Sequence, residues 1–336
     1  MFAGFFIKKP YICGLIIYNH MNKVYGVTYS PFRAFTRDEW KMLEEHPMFP
    51  ISDIDLTTLH ALNEPLTERE VEDIYIPMIS LLQIYITHYR NLHNELDQFF
   101  ENKSTTIPYI IGIAGSVAAG KSTTARVLQK LLSLTPGNLK VELITTDGFL
   151  YPNNELENRG ILNKKGFPES YDAKKLLSFL SSVKSGREEL EVPVYSHLYY
   201  DVVKDEVHKF KRPDILIVEG INVLQVSNAL KARRRVFVSD FFDYSIYVDA
   251  SEKDLRQWYI ERFKKLQKTA FSNPESYFHQ YASYSEEKLL SFANQVWDEI
   301  NLPNLQQNIL PTRFRADLIL EKGKSHLVRG IRTRKV

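Results

Sequence analysis

Gly115-Ser116-Val117-Ala118-Ala119-Gly120-Lys121-Ser122 fits the pattern G-x-x-x-x-G-K-[ST] without deviation. Each residue type in it has a physical task. The glycines let the backbone curl until its N–H groups face phosphate oxygens. Lys121 is spaced to reach the β- and γ-phosphates of a nucleotide, and the Ser122 hydroxyl to sit on Mg²⁺; Thr123 continues the segment. A flexible glycine turn is the alternative. Context decides against it. An apolar run, Tyr109 to Ala114, precedes the loop, and the helix-prone stretch Lys121 to Leu132 follows. A helix starting there adds the positive end of its dipole.

Two acids stand in comparable places. Asp147 follows the apolar stretch that ends Ile144-Thr145-Thr146, and Glu219 follows Ile215-Leu216-Ile217-Val218. Asp147-Gly148 could be no more than a tight turn. At a strand end beside a phosphate loop it is a candidate base for an acceptor hydroxyl. Glu219 either orients a metal ion through water or holds the loop, and the residues alone leave both open.

The elements that must position these groups are legible from the apolar pattern. Strands are expected at 109–114, 140–145, 214–218, 244–249 and 316–320, with helices between them. Runs that are apolar on both faces imply an α/β fold with a mostly parallel central sheet flanked by helices. Such sheets bind ligands at the carboxyl ends of their strands. Glycine, only 14 in 336 residues, is concentrated there: Gly112, Gly115 and Gly120 around the loop, Gly148 and Gly220 after the two acids.

Two further segments look built for an acceptor. One is Pro193-Val194-Tyr195-Ser196-His197-Leu198-Tyr199-Tyr200-Asp201. The other, 258–284, carries Trp258, Tyr259, Phe263, Phe271, Tyr277, Phe278, Tyr281 and Tyr284 among Arg256, Glu261, Arg262, Lys264 and Lys265. A basic helix near the phosphates can act as a lid whose arginine stabilises the transferring group. A solvated helix face with an aromatic core beneath it is the bland reading of the same residues.

Upstream, Thr67 and Glu70 have capping-box spacing. Apolar residues from Val71 to Leu92 recur at helical intervals, so a helix is expected to about Phe100, bent at Pro77. The expected organisation is an extension at 1–30, a helical region at 31–105, and a core at 106–336 with lid and acceptor site at about 250–310. The extension is read as dispensable, or as the product of a start assigned upstream of Met21. The net charge of +2 argues against a dedicated nucleic-acid binder. The longest charge-free stretch, Ile74 to Tyr89, is shorter than the ~18 apolar residues of a membrane span. The single cysteine, Cys13, excludes an intramolecular disulfide, and a reducing cytoplasmic compartment is the natural reading.

At these residues the chain resembles the bacterial type I pantothenate kinases. The likeness runs through Gly112 to Arg126, Leu143 to Phe149, Lys165-Gly166-Phe167-Pro168-Glu169-Ser170-Tyr171-Asp172, Tyr195-Ser196-His197, Ser276-Tyr277-Phe278-His279 and Asn308-Ile309-Leu310-Pro311-Thr312-Arg313. It covers about Pro31 to the C-terminus. It implies a P-loop kinase fold, an N-terminal helical region, a helical lid, and phosphorylation of pantothenate by ATP with Mg²⁺. It also implies a homodimer. By the family's pattern Asp147 is the base, Arg262 stabilises the transferring phosphoryl, and Lys121 and Ser122 serve ATP and metal. Tyr195, His197, Tyr200, Tyr259, Phe263, Tyr277, Phe278, Tyr281 and Asn301 line the acceptor pocket, and Asn63 and His326 neighbour the adenine. The resemblance further implies inhibition by coenzyme A, with Lys121 and Arg126 on its phosphates and His197 beside its adenine. Here the chain departs: Leu266 stands where the family pattern has Phe, so weaker inhibition is expected. A uridine-type nucleoside kinase and a non-catalytic nucleotide-sensing module are the competing readings.

Overall fold

The computed structural model describes residues 30–44, 56, 59, 66–101, 106–226 and 236–336. The expectations placed on residues 1–29 and on Asn63 lie outside the described residues.

The five expected strands are present as Tyr109–Gly115 (β2), Val141–Thr145 (β3), Ile215–Glu219 (β6), Tyr244–Asp249 (β7) and Leu318–Lys322 (β8). They are mutually parallel. Every residue of β2 and β6 is buried, as a sheet covered by helices on both faces requires. Each fully buried aliphatic side chain there contributes about 1.5–3 kcal/mol. Four strands were not expected: Phe32–Thr36 (β1), Glu189–Ser196 (β4), Asp201–Lys211 (β5) and Val328–Arg334 (β9). All four carry solvent-facing residues along their length, so none is a continuous apolar run. β9 pairs antiparallel with β8, and β1 antiparallel with β9. β4 and β5 form a separate hairpin.

The central sheet runs β1-β9-β8-β7-β2-β6-β3. From β2 the chain crosses to β3, fills the gap with β6, and then passes to β7 on the other side of β2. That reversal opens a crevice at the carboxyl end of β2, where the phosphate loop emerges.

The expected long helix is Ile76–Phe99, preceded by a wide turn, Val71–Tyr75, in which the Ile76 N–H reaches back to the Val71 carbonyl. Pro77 has no N–H to continue a regular ladder. The Trp40 indole donates to the Ile74 carbonyl at 3.0 Å. The capping box at Thr67 is only half made. Thr67 Oγ1 accepts from the Glu70 N–H, but the Glu70 carboxylate turns to the Val328 N–H at 2.8 Å and to Arg37. Tertiary partners outbid the local one. A full box forms instead at Thr36 and Glu39.

The segment expected as a lid contains the helix Glu252–Lys268, two short turns and the helix Glu286–Val296. It has its own apolar centre of Phe263, Phe271, Leu289 and Ala293. No helix among the described residues is long and apolar enough to cross a membrane.

Candidate active site

The phosphate loop is held by backbone geometry. Gly120 has φ +94° where it caps the helix Lys121–Ser133, a conformation that L side chains avoid. Ala118 sits at φ 62° without that licence, a strain of the kind stored at functional sites. The Ser116 hydroxyl is buried without a hydrogen-bond partner. Leaving such a group unpaired costs about 1–3 kcal/mol, so the loop is built for a guest that accepts hydrogen bonds.

Lys121 is buried and donates to the Ser116 carbonyl at 3.0 Å, with Glu219 at 3.7 Å. Burial lowers its pKa, opposed by the charges of Glu219 and Asp147. Burial likewise raises the pKa of Glu219, opposed first by Lys121. Ser122 Oγ donates to Glu219 Oε2 at 3.1 Å. The Ser122–Glu219 pair therefore joins the loop to the end of β6 and offers a metal two oxygen ligands. No group of three or more His, Cys, Asp or Glu among the described residues could hold a metal. A cation here must take most of its ligands from phosphate and water, as Mg²⁺ does at nucleotide sites. Behind the loop, Lys322 donates to the Ala119 carbonyl at 3.2 Å, and burial brings its pKa down to about 7.

Asp147 lies in the tight turn Thr146–Phe149 directly after β3. Its neighbour Gly148 has no room for a side chain: a Cβ would stand 2.2 Å from the Pro193 carbonyl. That close approach brings the β4–β5 hairpin against the turn. The Asp147 charge acts on Lys121 and Arg262 as well as on Lys165, Tyr195 and Tyr200.

Lys165 had no role assigned from sequence. It is 9% exposed. Its ammonium lies 4.0 Å from the centre of the Tyr200 ring and donates to Asn153 Oδ1 at 2.6 Å and to the Tyr200 carbonyl. Burial lowers its pKa to about 8, with Asp201 and Asp147 resisting. Nothing in a lone Lys-Gly pair signals this; only the resemblance touched the stretch. Tyr200 adopts φ 51°, which turns the hairpin tip. Burial pushes its hydroxyl pKa up to about 12.

The aromatic residues divide into two groups. Tyr195, His197, Tyr200, Tyr277 and Phe278 make one chain of ring contacts, 4.8–6.5 Å apart. A hydrogen bond from the Tyr277 N–H to the Leu198 carbonyl, 2.9 Å, ties lid to hairpin. Phe263 and Tyr281 belong instead to the lid's own packing, with Phe263 against Phe271 and Tyr281 stacked on Phe292 at 4.5 Å. Phe278 touches both groups. Tyr259 hydrogen-bonds Asn301, and burial raises its pKa. Arg262, one turn along from Tyr259, is reachable by solvent, yet the cleft walls crowd it enough to lower its pKa, with Glu219, Tyr259 and Asp147 opposing.

Arg126 Nε donates to the Leu59 carbonyl at 2.9 Å. His326 has φ 65° in the β8–β9 turn and stacks on Trp258 at 3.9 Å. Burial lowers its pKa to about 4, so its ring is neutral at pH 7. A cavity of about 720 Å³ between the helix Ala173–Lys184 and the β4–β5 hairpin includes neither the loop nor Asp147.

Comparison with known proteins follows this division of parts. The family model described as Phosphoribulokinase / Uridine kinase family matches residues 110–272. That span holds the loop, both acids, the hairpin and Arg262, but not Asn301 or His326. Pantothenate kinase of Brevibacillus brevis is 52% identical over 319 residues, 94% of this chain and 100% of its own length. Pantothenate kinase of Vibrio vulnificus is 52% identical over 307 residues, 91% of this chain and all of its own. Among solved structures, D-glycerate 3-kinase from Cryptococcus neoformans superposes with a TM-score of 0.51 at 16% identity, covering 76% of this chain and 98% of that one. That likeness concerns the fold alone. With half of its residues shared along nine-tenths of its length, the chain belongs to the pantothenate kinase family, enzymes that phosphorylate pantothenate at the expense of ATP.

Proposed function

We propose a division of labour among the residues of this site. The phosphate loop binds ATP through backbone N–H groups, Lys121 and the Ser116 hydroxyl. Ser122 and Glu219 hold Mg²⁺, which when bound neutralises charge on the phosphates. Asp147 accepts the proton of the pantothenate primary hydroxyl as that oxygen attacks. Arg262 reaches in from the lid to stabilise the transferring phosphoryl. Lys165, Tyr195, His197, Tyr200, Tyr259, Tyr277, Phe278 and Asn301 enclose the acceptor and exclude water, which a kinase must keep from the γ-phosphate. Phe263 and Tyr281 support that wall from behind.

The observation that carries this reading is the place of Asp147, whose charge acts at once on Lys121 of the loop and on Lys165 and Tyr200 of the pocket. An ADP-release assay with pantothenate, uridine or no acceptor tests it. Release with pantothenate alone is expected. Release with uridine but not pantothenate would make the chain a nucleoside kinase, and nucleotide binding without acceptor-dependent release would make it a sensing module.

Coenzyme A fits the same reading as an inhibitor at the nucleotide site, with its phosphates on Lys121 and Arg126. A homodimer is supported by the exposed Ile84, Leu92, Leu96 and Phe99 on the helix Ile76–Phe99. These apolar side chains need a cover, and a second copy supplies one. The cytoplasm, where ATP is available and Cys13 stays reduced, suits the activity.

A further inference from the structure

One carbonyl, that of Gly166, receives two side-chain amides from distant parts of the chain. Asn222 Nδ2 donates to it at 2.7 Å, and Asn304 Nδ2 at 3.0 Å. Asn222 lies three residues past Glu219. Asn304 lies three residues past Asn301. Gly166 adjoins Lys165. The three segments that carry the metal-side acid, the Tyr259 partner and the pocket ammonium therefore meet on a single oxygen atom.

The orientation of both amides is dictated. Asn304 is buried, and its Oδ1 accepts from Asn308 Nδ2 at 2.9 Å, which leaves its own Nδ2 for Gly166. Asn222 Oδ1 is buried without a partner. Flipping that amide would set oxygen against the Gly166 carbonyl oxygen, so the orphaned Oδ1 is the cost of keeping the donor in place. The rest of Gly166 is held as firmly. Its N–H donates to Ser170 Oγ at 2.9 Å, and its φ is +96°, which few other residues adopt. Nothing in the handling of ATP requires this much constraint. Lys165 does: its ammonium must lie over Tyr200 while donating to Asn153 and to the Tyr200 carbonyl.

We propose that Asn222 and Asn304 are positioning residues for the acceptor, which hold the Gly166 carbonyl and so fix the Lys165 ammonium in the pocket. This rests on the placement of Lys165 at the acceptor proposed above. Neither asparagine touches the reacting atoms in this account; both act through Lys165.

The test is a cycle of Asn222→Ala and Asn304→Ala, each made alone and in a Lys165→Met background, with KM measured separately for pantothenate and ATP. Each single change is expected to raise the pantothenate KM roughly 2- to 12-fold, the range for one net hydrogen bond, and to leave the ATP KM unchanged. In the Lys165→Met background the same changes are expected to have little further effect. Asn304 is buried, so thermal unfolding is followed alongside; should Asn304→Ala not fold, Asn222→Ala, in a partly exposed loop, carries the cycle. Full effects that persist without Lys165, or equal rises in both KM values, would overturn the inference. A Lys165→Met enzyme with an unchanged pantothenate KM would overturn the placement of Lys165 itself, and this inference with it.

Discussion

The two halves of the site are built by different means. The phosphate loop at the centre of the nucleotide half is one contiguous segment. Gly115 to Ser122 curls on itself, and its shape depends on backbone angles at Ala118 and Gly120. The proposed acceptor half is a composite. Asp147, Lys165, the β4–β5 hairpin tip, the lid and Asn301 come from five separate stretches. Side-chain contacts rather than backbone curl hold them together. A contiguous half tolerates most changes elsewhere in the chain. A composite half fails when any one contributor drifts.

The sharpest way to separate the halves is Asp147→Asn. Turnover is expected to fall by about 10²–10⁴, while ATP binding, measured by calorimetry, stays near its original strength. A matching loss of ATP binding would show that the halves do not separate at this residue.

The next expected effect belongs to the acceptor half alone. Lys165 is charged below about pH 8 and loses its proton as pH rises through that value. With the proton goes its attraction to the Tyr200 ring and to Asp147. The pantothenate kcat/KM is therefore expected to decline above pH 8. The Lys165→Met enzyme should be weaker at pH 7 and lack that decline. The stability consequence has the opposite sign. An unfolded lysine binds its proton up to about pH 10.5, so between 8 and 10.5 the unfolded chain holds more protons and the folded state gains stability as pH rises. An identical alkaline decline in Lys165→Met would assign it to another group.

The smallest expected effect falls at Leu266. Leu266 packs beside the lid's aromatic centre. An aromatic ring there adds a stacking face for an adenine, about 0.5–1.5 kcal/mol. Leu266→Phe is expected to tighten inhibition by coenzyme A by roughly 2- to 12-fold on that basis. Unchanged or absent inhibition would count against the proposed contact of coenzyme A with this helix.

The same contrast explains how much was legible in the residues. β2 and β6 were the most readable strands because each is buried throughout and almost continuously apolar. β1 and β9 were not readable, because solvent-facing residues interrupt the apolar run in both. The Thr67 cap was readable, but the return bond from Glu70 was not, since Arg37 and the Val328 N–H lie far away in the chain. The aromatic run at 258–284 was visible as a block. Its division into rings that meet the hairpin tip (Tyr277, Phe278) and rings packed within the segment (Phe263, Tyr281) depended on tertiary contacts.

The sequence by itself determined the phosphate loop, the strand that delivers it, and the two acids at neighbouring strand ends. Those features depend on interactions between residues close in the chain, where backbone sterics and apolar periodicity leave few alternatives. Tertiary structure alone decided the acceptor side: that Lys165 lies over Tyr200, that Gly148 lets the hairpin press against Asp147, and that Asn222 and Asn304 close on Gly166. Those contacts join residues 35 to 138 positions apart. Burial at each of them is set by neighbours that no local pattern names.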